Sequence, residues 1–509
     1  MKSRTENTSK NIFVGSLGQI INVLLPFVSR TVLIYTLGAE YLGLSSLFTS
    51  ILQILNLSEL GISSAIVYSM YKPIADGDDS KVSALLNLYK KCYRIIGLII
   101  AGVGLILLPF LRRLIKGDVP ADVNIYVLYI IQLLSTVLTY ELYAYRSSLL
   151  TAVQRNDIVA GVTTICKILM EIARCGALIM FRDYYMYAVF TLVFTCLTNI
   201  WIAVVSKRMY PQYICKGSVS SDDIRIIKKN VGGMIFEKLG GVILFSADSI
   251  VISAFLGLKQ LGIYQNYYAI FTAINGFFGI IQTSLIASVG NSIVTESKEK
   301  NLADFKKFNF LYVWLAAFAS ICVLCLIQPF MRLWMGEALT LPDSFALLFA
   351  IYLLVFKWGD MSYVYEAAAG LWWENRFVSF SAAIINLILN IILVQFIGLY
   401  GIILSTIISI LFVYDTLFPY NLYKYYFKNI SLLKETVINQ LIYLLVSVIA
   451  GIVTVTCCWL FDISSNFLIL ITRFIICSIV PNIIIYLVLH RKREVRDALL
   501  LIKGAILSK

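Results

Sequence analysis

Inside an otherwise apolar run, the stretch CKILMEIARC (166–175) carries Lys167, Glu171 and Arg174. Spacings of four and three residues put all three side chains on one face of a helix. At the centre of a bilayer each would cost about 2.5–3.5 kcal/mol on the insertion scale. Glu171 can neutralise one basic neighbour along the helix, which leaves one positive charge over. Two readings fit: a self-neutralising knot that grips an adjacent helix, or a wet cavity lined with cationic groups. The excess of one sign favours the cavity. Guanidinium and ammonium groups in such a low-dielectric chamber suit a phosphate or diphosphate, because charge-assisted contacts are strong there.

Other charges interrupt apolar runs at Arg30, at Glu237, Lys238 and Asp248, and at Lys357 and Asp360. In the first half Arg30, Lys167 and Arg174 outweigh Glu171 by two charges; in the second, Glu237, Asp248 and Asp360 outweigh Lys238 and Lys357 by one. Amides add to the pattern. Asn56 shares a polar stripe with Ser46, Thr49, Gln53 and Ser63, and Asn275 shares one with Tyr268 and Gln282, at spacings of three, four and seven. A polar stripe within a membrane must face protein or water. Arg30, Lys167, Glu171, Arg174, Lys238, Lys357, Asn56 and Asn275 are therefore the predicted substrate-binding set. Glu237 and Asp248 are eleven residues apart, nearly three helical turns, and point the same way. With Asp360 they are the predicted ion-coupling set, for H+ or Na+.

The elements that position these residues follow from composition. Of the 509 residues 60% are hydrophobic and 14% charged, with a mean hydropathy of +0.84. This excludes a soluble globular domain and specifies an all-α polytopic membrane protein. Apolar segments of 20 or more residues recur throughout, and each reaches across a hydrocarbon core of about 30 Å. Fourteen spans are predicted, from 12–36 and 42–68 through 158–181 and 231–256 to 467–489. With the N-terminus inside, inner loops and tails hold about five times as many Lys and Arg residues as outer loops, so both termini are expected in the cytoplasm. The net charge of +13 is thus a topological address, with no need of nucleic acid. The polar N-terminus and the length of the first span argue against a removable signal peptide.

A repeat organises the chain. LGAEYLGL (37–44) and LGLKQLGI (256–263) share the pattern LGxxxLG at an offset of 219. The same offset carries Asn56 onto Asn275. The predicted domains are a six-helix bundle over 1–206, a cytoplasmic linker over 207–229, a second six-helix bundle over 230–420, and two further helices with a tail over 421–509. Paired bundles around a polar midplane cavity are the architecture of secondary transporters. Pro26 in the first span is either a kink without consequence or the bend of a lateral gate. Cys322 and Cys325 form a CxxC in an apolar helix, where ordinary packing is the expected role. The single His490 reads as an interfacial anchor, as do Trp372 and Trp373.

The segment RTVLIYTLGAEYLGLSSLFTSILQILNLSELGISSAIVYSMYKPIADGDDSK (30–81), its LYKK continuation (88–91), and FSADSIVISAFLGLKQLGIYQNYYAI (245–270) resemble the Wzx-type flippases of lipid-linked oligosaccharides. These form the polysaccharide-transport branch of the superfamily, abbreviated MOP, that includes the MATE drug exporters and the lipid II flippases. The resemblance covers essentially the whole chain. It implies a pseudo-symmetric, V-shaped pair of six-helix bundles with two extra helices. It also implies a function, not enzymatic, of moving an undecaprenyl-diphosphate-linked oligosaccharide, an O-antigen or capsule repeat unit, from the inner to the outer leaflet of a bacterial cytoplasmic membrane by alternating access. Implied partners are that glycan, membrane lipids and polysaccharide-assembly proteins. Cofactors and metals are expected to be absent. The chain has no GxxxxGK[ST], so an ion gradient or membrane potential is the expected energy source. A MATE-like cation-coupled drug exporter is the alternative, against which three basic residues in the first half count. A membrane polysaccharide polymerase ranks below both, because the outer loops reach only about 15 residues.

Overall fold

A computed structural model describes residues 4–56, 62–461 and 465–507. Among these the regular structure is entirely helical. Ten helices are long and apolar enough to cross a membrane, or eleven when a bent pair counts as one span. The protein is therefore a multi-pass membrane protein. The predicted first and second spans correspond to shorter apolar helices, Ile21–Thr36 and Ala39–Leu55. The fifth does not read as an apolar span because Lys167, Glu171 and Arg174 interrupt it.

The chain divides into two compact units, Met1–Gln265 and Asn266–Lys509. The first holds α1 (Arg4–Thr36), α2 (Ala39–Leu55), α3 (Ile62–Asp76), α4 (Asp79–Leu107), α5 (Ile125–Glu141), α6 (Tyr145–Ala152), α7 (Asn156–Phe181), α8 (Tyr184–Met209) and α9 (Ser221–Leu256). The division falls in the first turns of α10 (Leu258–Thr295). The second unit continues with α11 (Lys298–Met335), α12 (Ser344–Trp358), α13 (Asp360–Ala369), α14 (Val378–Ile397), α15 (Leu399–Ser409), α16 (Asp415–Asn421), α17 (Ser431–Trp459), α18 (Asn466–Leu489) and α19 (Arg493–Leu507). Helix α9, which the sequence assigns to the second bundle, packs against α2 and α3 within the first unit. Within the predicted second span, 42–68, the described residues form α2, capped by Asn56, and α3 from Ile62 on, and residues 57–61 lie outside those described. Helix α5 fills the predicted span 124–144, and α6 follows it at a bend of 48°. Tyr143, with φ of 61°, makes the bend.

Helix starts are set by side-chain caps that accept the orphan N–H groups of the first turn. Asn124 Oδ1 accepts from Tyr126 N at 2.9 Å, Asp183 Oδ1 from Tyr185 N at 2.7 Å, and Ser220 Oγ from Asp223 N at 3.2 Å. Arg155 and Asp157 pair at 2.9 Å at the start of α7. Burial opposes ionisation of Asp157, but the Arg155 guanidinium and backbone N–H groups outweigh it and hold the carboxyl below its ordinary range.

The duplicated motif has a structural meaning. Gly38 and Gly257, at equivalent places in LGxxxLG, have φ of 118° and 92° and precede α2 and α10. A side chain there would be strained. The second glycines make the closer approach. A Cβ on Gly43 would lie 2.1 Å from the Leu258 carbonyl oxygen, and one on Gly262 would lie 2.0 Å from that of Ala39. Since 39 and 258, like 43 and 262, differ by 219, the two copies of the motif clasp each other reciprocally, each glycine admitting the other's backbone. Close helix approach over small residues is how membrane helices gain dispersion contact where the hydrophobic effect gives none.

Gly43→Ala and Gly262→Ala are each expected to lower stability by about 1–3 kcal/mol, the usual range for overpacking, seen as a reduced thermal midpoint of the purified protein. Gly102→Ala, at a glycine with open space around its Cβ position, serves as control. Equal midpoints for all three variants would remove the clasp from the account.

Candidate functional site

The charged face of α7 lies in the first unit and meets α1 on one side and α8 on the other. Lys167 Nζ donates to Asn22 Oδ1 of α1 at 2.8 Å. One turn on, Glu171 is buried and accepts from Arg174 Nη1 at 2.8 Å. The Arg174 guanidinium sits 3.7 Å over the ring of Tyr187 on α8, a contact that stabilises a desolvated cation. Tyr187 also lies in the electrostatic field of Glu171 and Arg30, and Lys167 in that of Glu171 and Arg174. Arg30 thus joins Lys167, Glu171 and Arg174, whose common face the spacing predicts, in one cluster with an excess of two positive charges.

Arg30 is anchored as well. Its Nη1 donates to the Gln265 carbonyl oxygen at 2.5 Å, and Gln265 Nε2 in turn donates to Ser249 Oγ of α9 at 2.9 Å. Gln265 lies one turn beyond Gly262, so the cluster is tied to the glycine clasp. A second tie runs through aromatic rings. Tyr187 stacks on Tyr184 at 5.4 Å, Tyr184 meets Tyr41 edge-on at 5.2 Å, and its hydroxyl donates to the Tyr41 carbonyl at 3.3 Å. Tyr41 belongs to the first copy of the motif, and its hydroxyl donates to Asp122.

Arg174 and Tyr187 border a cavity of about 320 Å3. Helix α2 contributes Ser45, Thr49, Leu52, Gln53 and Asn56, α5 contributes Gln132, Ser135 and Thr136, and α8 adds Ala188 and Thr191. Arg174 is the charged residue of this lining; the rest is mainly hydroxyl and amide. Gln53 and Asn56 also border a second cavity, of about 370 Å3, against Gly241, Val242, Phe245 and Ser246 of α9. Ser246 Oγ donates to Gln53 Oε1 at 3.2 Å across it. Among the described residues Asn56 Oδ1, Glu171 Oε2 and Arg174 Nε are buried without a hydrogen-bond partner. Leaving such groups unsatisfied costs about 1–3 kcal/mol each, more for charged ones. The two oxygens can accept from a water or a hydroxyl, and Arg174 Nε–H can donate to a water or an anionic oxygen.

The remaining predicted residues are placed differently. On α9, Asp248 is buried, Glu237 half-buried and Lys238 exposed. Asn275, on α10, is half-buried in the second unit. Lys357 is 2% exposed and pairs with Asp360 Oδ2 at 2.8 Å, with the Phe356 ring 4.3 Å away. Tyr312 donates to the same carboxylate oxygen at 2.7 Å. This is a self-neutralised knot at the break between α12 and α13. Asp415, across from Gly359, accepts that residue's backbone N–H. Sequence reasoning passed over Asp415, Glu366, Tyr184 and Tyr187. A carboxylate within an apolar run would have marked the first two, and a tyrosine pair three residues apart at the head of the sixth span the others.

The family model described as polysaccharide biosynthesis protein matches residues 8–286. No curated protein matches the chain. Among solved structures, the lipid II flippase MurJ in its inward closed conformation has a TM-score of 0.64 at 16% identity, over 94% of this chain and 98% of that one. An inward-facing multidrug resistance MATE family transporter of the MOP superfamily has a TM-score of 0.62 at 14% identity, over 82% and 96%. A MOP superfamily transporter from Pyrococcus furiosus, whose binding pocket has reverse polarity, has a TM-score of 0.53 at 15% identity, over 83% and 96%. At these identities the likeness shows the fold.

Arg174→Ala leaves the Glu171 carboxylate buried without its nearest partner and is expected to cost about 3–5 kcal/mol. The double variant Glu171→Gln/Arg174→Gln, which removes both charges, is expected to recover most of that loss. Thermal unfolding of wild type, Glu171→Gln, Arg174→Gln and the double variant completes the cycle. A double variant no more stable than Arg174→Ala would show that the ion pair is not what stabilises this face of α7.

Proposed function

Because the chain belongs to the family of polysaccharide biosynthesis proteins and shares its fold with a lipid II flippase and MATE transporters, we propose that it is a flippase for an undecaprenyl-diphosphate-linked oligosaccharide. In this reading it moves the repeat unit of an O-antigen, capsule or exopolysaccharide from the inner to the outer leaflet of the bacterial cytoplasmic membrane by alternating access, with both termini in the cytoplasm. The observation that carries the reading is the cavity whose charged lining residue is Arg174.

Moving a diphosphate and several sugar hydroxyls through hydrocarbon unaided is prohibitive, so a flippase need only shield the polar head while the polyprenyl tail stays in lipid. A cavity of amides and hydroxyls offers what a polyhydroxylated head needs, and the net positive cluster offers what its diphosphate needs. The Tyr187 ring is already engaged by the Arg174 guanidinium and stacked on Tyr184. Sugar recognition therefore falls to Thr49, Gln53, Asn56 and Gln132 rather than to ring stacking. Arg30 and Lys167, engaged with Gln265 and Asn22, act in this reading through the field they set up around Arg174. Lys238, Lys357 and Asn275 remain candidate contacts for other stages of the cycle. Glu237, Asp248 and Asp360 are the candidate groups for H+ or Na+ coupling. A cavity for cationic drugs would place carboxylates, not a guanidinium, on its wall.

Deletion of the gene in its native host, followed by isolation of polyprenyl-linked intermediates, tests the reading. Oligosaccharide-diphosphate-lipid is expected to accumulate on the inner leaflet and to fall again when the wild-type gene is restored. Unchanged intermediates, together with new sensitivity to cationic drugs, would transfer the assignment to a MATE-like exporter.

A further inference from the structure

Four of the ten cysteines of the chain converge in the second unit. Cys322 and Cys325 lie one turn apart on α11, Cys458 is near the end of α17, and Cys477 is in the middle of α18. The sulfur atoms of Cys325, Cys458 and Cys477 all lie within 4.8 Å of one another, and all three residues are buried. Cys322 is in hydrogen-bonding contact with Cys477, and Cys325 with both Cys458 and Cys477. The surroundings are apolar, with Ile321, Ala450, Val446 and Ile485 in the same core. One polar group reaches in: Arg473, four residues before Cys477 on α18, donates from Nη1 to the Cys325 carbonyl oxygen at 3.0 Å. Its charge acts on Cys325 and Cys458. The CxxC packs in the core, as expected of a pair of cysteines in an apolar helix, and the fold brings two further cysteines and Arg473 to it.

We propose that Cys325, Cys458 and Cys477, with Cys322 beside them, form a thiolate site for one thiophilic metal ion of the zinc class. Geometry and charge agree. Zinc–sulfur bonds of about 2.3 Å set tetrahedral sulfurs about 3.8 Å apart, so the three thiols need close by only about 1 Å, within the reach of side-chain rotation. Each of the three releases its proton as its metal–sulfur bond forms. Three thiolates, a divalent ion and the Arg473 guanidinium then sum to zero, the condition under which ions persist in a dry core. Cys322 stays a thiol outside the coordination shell, and the fourth position is open to a neutral ligand. Soft sulfur ligands select zinc-class or cuprous ions over magnesium and calcium. The bound ion staples α17 and α18 to α11, fixing the two helices that lie beyond the repeat. The site is remote in sequence from the α7 cluster and independent of the flippase assignment.

The test uses the full-length chain, purified under reducing conditions, with metal content read by elemental mass spectrometry and Co2+ as spectroscopic probe. About one zinc per chain is expected. After chelator treatment, added Co2+ is expected to give the sulfur-to-cobalt charge-transfer band in the near ultraviolet. Cys458→Ser/Cys477→Ser is expected to abolish both signals. Arg473→Gln, which leaves every sulfur in place, is expected to weaken zinc about 10- to 100-fold in chelator competition. A wild-type chain that takes up no stoichiometric Zn2+ or Co2+, thiols recovered as a disulfide under the reducing conditions, or metal retained by the double-serine variant would each overturn the proposal. The wild-type measurements decide the matter even where a variant fails to fold.

Discussion

The Glu171–Arg174 ion pair is what allows α7 to carry charge through a low-dielectric layer. Removing a guanidinium from water is expensive unless its charge is opposed and its donors are used. Here a carboxylate at 2.8 Å and an aromatic face at 3.7 Å share the task. Because Glu171 opposes only one of three nearby cations, the cluster keeps a positive excess. That excess is costly in isolation and becomes favourable when an anionic group enters the adjoining polar cavity. The buried atoms without partners on Asn56, Glu171 and Arg174 lie around that same place. In the proposed reading, water or the lipid headgroup completes the hydrogen bonding of these atoms.

The glycine clasp gives the cluster its fixed frame. Reciprocal contact of Gly43 with Leu258 and Gly262 with Ala39 places the starts of α2 and α10 in direct backbone contact. Arg30, through Gln265, and Tyr187, through Tyr184 and Tyr41, both connect back to it. The duplicated motif thus specifies a joint, and the polar cluster hangs from that joint by one hydrogen bond and one ladder of rings. In the second unit the opposite solution appears. Lys357, Asp360 and Tyr312 satisfy one another within bonding distance, and no positive charge is left over.

Much of this was legible in the sequence because it is local. The spacing of Lys167, Glu171 and Arg174 fixed their common face, the offset of 219 identified the two copies of LGxxxLG, and the long apolar runs gave most of the spans. What was not legible depends on contacts between distant residues. No periodicity reveals that Arg30 ends on the carbonyl of Gln265, or that cysteines 322, 325, 458 and 477 come together from three helices. Nor does propensity anticipate a tyrosine with positive φ at 143, so the bend between α5 and α6 is invisible to it. The pairing of Lys357 with Asp360 could have been read from their three-residue spacing. That reading would have weighed Lys357 toward a structural knot.

The central claim is that a positive excess on α7 admits an anionic lipid headgroup. It is tested most directly by reconstituting the protein in vesicles with a fluorescent undecaprenyl-diphosphate-linked oligosaccharide and measuring the fraction that becomes accessible to a membrane-impermeant quencher. Wild type is expected to equilibrate the lipid across the bilayer, and a folded Lys167→Gln protein, which cancels the excess on α7 while keeping the Glu171–Arg174 pair, is expected to fail to do so. Equal rates for the two proteins would contradict the claim.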